Sequence, residues 1–234
     1  MIRDELVKRS PFRILERSTH GGLGKGNIGI ITALKGVGKT ACLVHLATDK
    51  LFQKKHVIHV SFSPDTSHIV SWYEDIFEEI ASRYKLENTM EIHDDLVRHR
   101  IILNFRQDGV TALQVKKSIL SIINNAHFEA ELVVIDGYDF SRSSHEEVEL
   151  FKQLAGELAI EVWFTVSAIS FDNETDNQIP GSLRKFESLI SVIVKLEARE
   201  DYIHLNLLKD HDASLQQDLH LKLDPQILLI ADEK

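Results

Sequence analysis

Ala33-Leu34-Lys35-Gly36-Val37-Gly38-Lys39-Thr40 stands between an apolar run, Ile28 to Thr32, and a helical run, Ala41 to Ala47. A strand that turns through such a stretch into a helix has the pattern of a phosphate-binding loop. Glycines at 36 and 38 let the backbone aim its N–H groups at a polyphosphate with no Cβ in the way. The helix starting near Gly38 adds its electropositive end. Lys35, Gly36, Val37, Gly38, Lys39, Thr40 and Ala41 are therefore expected to hold phosphates. Within that loop Lys39 would reach the β- and γ-phosphates, and the Thr40 hydroxyl would ligate Mg²⁺. The pattern G-x-x-x-x-G-K-[ST] is broken only at its first position, where Ala33 replaces glycine. Alanine is the smallest substitute, and the backbone there need not touch phosphate.

A second element of such a site lies about a hundred residues downstream. Leu132-Val133-Val134-Ile135-Asp136 is too apolar for a strand with one wet face and predicts a central one. Asp136 ends it at the carboxyl edge, where open α/β sheets bind ligands, and is expected to hold Mg²⁺ opposite Thr40. Asp139 reads as a turn residue. Ser167, ending a later strand, reads either as a γ-phosphate contact or as a satisfied strand-end serine.

Strand and helix signals alternate along the rest of the chain. Strands are expected at Val57–Phe62, Ile101–Phe105 and Val162–Ser167, and helices at Ser67–Tyr84, Ala112–Ala126 and Glu146–Leu158. The pattern predicts an α/β fold, a mostly parallel twisted sheet flanked by helices. A single domain over 1–234 is expected, with a lead-in at 1–20 that carries a helix from Asp4 to Arg17. Lys85–Arg100 reads as a polar surface element and Ser170–Ser182 as a loop. The tail, 188–231, reads as antiparallel strands near Leu189–Leu196, Tyr202–Leu208, Asp218–Leu223 and Ile227–Ile230.

Composition narrows the function classes. Lys and Arg number 27 against 36 Asp and Glu, a formal charge of −9, with no basic block of the kind a duplex-binding face carries. Nucleic acid is accordingly disfavoured as a partner. No run approaches the ~18 apolar residues of a membrane span, and Met1-Ile2-Arg3-Asp4-Glu5 is too charged to open a secretory signal. A cytoplasmic protein with no membrane partner is expected, its single cysteine, Cys42, a small core residue. The histidines are scattered and show no H-E-x-x-H or C-x₂-C spacing, so a protein-ligated zinc is not expected.

The Gly21-Gly22-Leu23 turn, the phosphate loop, the Asp136 strand and the tail together resemble the RecA/KaiC-like class of P-loop ATPases over nearly the whole chain. In the tail the resemblance rests on Leu207-Leu208-Lys209-Asp210-His211, on Leu219 to Pro225, and on Leu228-Leu229-Ile230. The resemblance implies a RecA-like sheet of about seven to nine strands, with ATP and Mg²⁺ as cofactors and homo-oligomers carrying ATP between subunits. ATP over GTP rests on it alone, since no guanine-reading N-K-x-D occurs. Family members often carry Lys-x-Arg reaching a neighbour's γ-phosphate. Lys209 matches the lysine, whereas His211 stands where the arginine would be and lacks its planar fork. Taken by itself, Lys209 reads equally as a solvated strand-end lysine. Ser63 and Pro64 stand where members carry glutamates that polarise the attacking water; Asp65 or Glu74 could replace them only if the loop bent back. Ser170 to Gln178 holds three acids and no base, which disfavours a recombinase-type DNA loop. The expected function is Mg-ATP binding with slow hydrolysis. The alternative is a nucleotide-switched module acting on a protein partner, and a DNA-repair ATPase ranks last.

Overall fold

In the computed structural model, which describes residues 11–19, 21–106, 108–168 and 179–224, Ile28–Ala33 forms a central strand, β1, buried at every residue. Alternate side chains serve opposite faces: Ile28 and Ile30 enter one core, Ile31 and Ala33 the other. β2 (His56–Ser61), β3 (Arg100–Asn104), β4 (Ala130–Asp136), β5 (Glu161–Ser167) and β6 (Val192–Ala198) run parallel to it. β7 (Ile203–Asp210) and β8 (Ala213–Leu223) complete an eight-stranded sheet in the order β3-β2-β4-β5-β1-β6-β7-β8.

The tail is antiparallel, as expected, and joins the parallel core through β6. β7 opposes β6, and β8 opposes β7, but β6 itself pairs parallel with β1. The strand expected near Leu189–Leu196 therefore borders the parallel core on one side and the antiparallel tail on the other. The chain leaves β5 at Ser167 and returns through a short helix and a 3₁₀ turn (Glu187–Leu189) before β6 begins. Such a crossover is what lets consecutive strands run in the same direction. β8 begins at Ala213, earlier than the strand expected near Asp218–Leu223. The lead-in before Pro11, the loop Ser170–Gln178 and the strand Ile227–Ile230 lie outside the described residues.

Helices cover both faces. α1 (Pro11–Ser18), α2 (Lys39–Phe52), α3 (Ser67–Arg83) and α4 (Thr89–Arg98) pack on one side. α5 (Ala112–Asn125), α6 (His145–Leu158) and the short α7 (Gly181–Arg184) pack on the other. α5 and α6 each open with a capping box, Thr111 with Gln114 and Ser144 with Glu147, which satisfies leading N–H donors. α4 is the structure adopted by the polar insert; only Leu96 of it is buried. Among the described residues no helix is long and apolar enough to cross a membrane.

α2 follows the glycine-containing turn through Gly36 and Gly38 and is buried from Ala41 to Phe52. Its polar residues there are paired. Arg13 of α1 bonds Asp49, and the Lys50 ammonium lies 3.0 Å from Glu161 and 3.4 Å from Glu16. These pairs dock the last turn of α2 against α1 and β5.

His59, fully buried in β2, lies with Nδ1 3.1 Å from the Tyr73 hydroxyl of α3. Burial, with the positive charges of Arg100 and His68, pushes its pKa down to about 3. The unfolded chain then takes up a proton near pH 6.5 that the folded chain refuses until about pH 3. Stability from this residue is thus complete above pH 6.5 and is lost as pH falls. Between pH 7.5 and 5 the wild type should lose about 2 kcal/mol more than His59→Phe, read from denaturant melts at the two pH values.

Candidate functional site

The carboxyl ends of β1, β5 and β4 lie side by side, and a cleft of about 800 Å³ opens above them. On the β1 side the chain passes through Gly36 (φ 87°) and Gly38 (φ 102°) into α2. Both angles lie in the left-handed region, where glycine carries no Cβ penalty. A Cβ at Gly36 would project into open space, so it is the backbone angle that calls for glycine there. No side chain caps α2. The first N–H groups of a helix have no intrahelical acceptor, so this end offers donors and a partial positive charge.

Lys39 folds back over the loop, its Nζ donating to the carbonyls of Leu34 (2.9 Å) and Ala33 (3.3 Å). Burial lowers its pKa from the usual lysine range, against the opposing pull of Asp136. The Thr40 hydroxyl donates to Asp136 Oδ2 at 3.0 Å. The other carboxylate oxygen, Oδ1, accepts from the Thr165 hydroxyl of β5 at 2.5 Å. Two hard oxygen donors, one neutral and one anionic, thus meet at the start of α2. Mg²⁺ suits such a set, since it takes few protein ligands and completes its shell with water and phosphate.

Of the loop residues expected to bind phosphate, Lys35, Gly36, Gly38, Lys39, Thr40 and Ala41 line the cleft. Val37 does not; its side chain packs against the core. Ser167 lines the cleft and is exposed. Asp139 is in a turn, as expected, where Oδ1 accepts from the Ser141 N–H and hydroxyl, and it lines the cleft as well.

The carboxylates proposed to replace the missing glutamates point elsewhere. Asp65 accepts from the Ser67 N–H and hydroxyl at the start of α3. Glu74 pairs with His93 of α4 at 2.6 Å and with Arg100 at 4.0 Å. Among the described residues the acids lining the cleft are Asp136 and Asp139.

Lys209 is not brought to the cleft. It pairs in register with Ile193, near the start of β6, so it lies toward the amino edge of the sheet. Its ammonium donates to the Glu187 carbonyl. His211 is held beside it by Asp210 and the Leu23 carbonyl.

Thr165, Trp72, Tyr138 and the segment Pro180–Ser182 line the cleft with no motif to announce them. Trp72 stands at helical spacing between Ile69 and Ile76, at the rim of the buried face of α3, half-buried against the core. Comparison with protein-family models and with curated proteins finds no match for the chain.

Proposed function

We propose that the cleft binds Mg-ATP in a RecA/KaiC-like P-loop domain and that the bound nucleotide is hydrolysed slowly. The observation that carries this reading is the Thr40 hydroxyl facing the Asp136 carboxylate at 3.0 Å, at the uncapped start of α2 and beside Lys39. Lys39 and the backbone N–H groups from Gly36 to Thr40 would hold the phosphates. Thr40 and Asp136 would hold Mg²⁺, which neutralises charge on the β- and γ-phosphates. The parallel sheet with β1 at its centre and β7 and β8 appended fits the resemblance noted in the sequence. A trans role for Lys209 fits only a head-to-tail neighbour, because its own cleft is at the other edge of the sheet.

A second reading, a nucleotide-operated switch that regulates a protein partner, is favoured by one observation. Asp65 and Glu74 are engaged away from the cleft, so neither is placed to polarise a water. Loss of such help lowers rates by roughly 10²–10⁴, which takes a typical ~10 s⁻¹ turnover to between ~0.1 and ~0.001 s⁻¹.

Single-turnover hydrolysis of radiolabelled ATP, beside direct binding, tests both readings. Trp72 lines the cleft while Trp163 is buried in the core, so nucleotide should change fluorescence in wild type and not in Trp72→Phe. Slow phosphate release that rises with protein concentration supports an oligomeric ATPase. Binding without release supports the switch. Absence of ATP binding refutes the proposal.

A further inference from the structure

We infer that Thr165 is a positioning residue: it holds one oxygen of Asp136 so that the other is presented to the metal beside Thr40. The inference rests on the Mg-ATP reading of the cleft. A terminal carboxylate rotates about a broad torsion, so an aspartate at the end of a strand is not oriented by its backbone alone. Here both oxygens are engaged, and by groups on different elements, α2 and β5. Oδ2 accepts from Thr40 and Oδ1 from Thr165, at 3.0 and 2.5 Å.

The polarity of the Thr165 hydroxyl is fixed by a third contact. Its oxygen accepts from the Gly137 N–H at 3.1 Å, which leaves its single proton for Asp136. Gly137, at a left-handed φ of 79°, turns the chain directly after this N–H. Thr165 is 4 % exposed and Asp136 8 %, so water competes weakly for these bonds. β5 is itself locked to the phosphate-loop strand. The Thr32 hydroxyl donates to the Val166 carbonyl, and the Ala168 N–H donates to the Ala33 carbonyl. Thr165 therefore transmits the position of β1, where the phosphates would be gripped, to the carboxylate on β4, two strands away.

Groups that orient a metal ligand typically set 10- to 100-fold in metal affinity without touching the metal. Valine at 165 keeps the threonine shape and removes the hydroxyl; serine keeps the hydroxyl and removes the methyl. The full chain is purified as wild type, Thr165→Val, Thr165→Ala, Thr165→Ser and Lys39→Ala. Radiolabelled ATP binding is measured by equilibrium dialysis across a Mg²⁺ series and in EDTA, with a thermal melt for each variant. Thr165→Val and Thr165→Ala should need about 10- to 100-fold more Mg²⁺ for half-maximal enhancement of ATP binding, with affinity in EDTA unchanged and Thr165→Ser within about threefold of wild type. An unchanged Mg²⁺ requirement in either hydroxyl-free variant overturns the inference. So does an equal loss of affinity in EDTA, or loss of folding in both variants, since each would make Thr165 a residue of the scaffold alone. Wild-type protein that binds no ATP at any Mg²⁺ concentration sinks the Mg-ATP reading itself, a result distinct from wild-type binding that Thr165→Val leaves intact.

Discussion

Lys39→Ala is expected to weaken ATP binding at least about 100-fold while shifting the melting temperature by less than about 2 °C. A hydrogen bond to a charged group contributes about 1.5–3 kcal/mol, and a lysine that spans two phosphates makes at least two of them. Part of that gain offsets the carbonyl contacts that Nζ gives up at Leu34 and Ala33. A net of about 3 kcal/mol is still two orders of magnitude in affinity. The loss should not extend to folding. The Ala33 carbonyl keeps the Ala168 N–H as a donor, and Leu34 is exposed, so water can serve its carbonyl. Equilibrium dialysis with a parallel thermal melt checks both halves. ATP binding that survives in the variant would remove Lys39 from the site, and with it the reading of the cleft.

That site was half legible in the sequence. The loop and Asp136 were visible because each is a local pattern: glycines and a lysine at fixed spacing, and a carboxylate ending an apolar run. Thr165 was not, because its role depends on strand order. β5 lies between β1 and β4 although both precede it in the chain, and no spacing along the sequence encodes that insertion. The same limit explains β6. Its alternating residues read as a strand, but its direction is set by the crossover before it. Asp65 and Glu74 show a further limit. Their distance from the strand end left both available, and only their engagement with Ser67 and with His93 shows where they are committed. Val37 fell inside the motif by number, yet its side chain packs against the core.

Gly29→Ala should cost about 3 kcal/mol and lower the melting temperature by about 6–12 °C. In the absence of a neighbour, the expected sign is the reverse. Gly29 does not need a left-handed angle, and alanine for glycine restricts the unfolded chain, a gain of about 0.4–1 kcal/mol. What decides the sign is Trp163, its register partner on β5. A Cβ at 29 would come within 2.5 Å of the indole Cε3 and 2.7 Å of Cδ2 and Cζ3. The ring has little room to move: it is 2 % exposed, and the cavity beside it, lined by Leu15, Leu23 and Leu46, holds only about 10 Å³. Either β1 or the indole must shift, and both are central to the sheet that sets the cleft. A smaller partner should relieve the clash. In a Trp163→Leu background Gly29→Ala should change stability by less than about 1 kcal/mol, a coupling of about 2 kcal/mol between touching residues. If the penalty of Gly29→Ala is the same in both backgrounds, the cost lies in β1 itself. The glycine would then serve the strand's pairing with β5 and β6, and the indole would be a bystander to it.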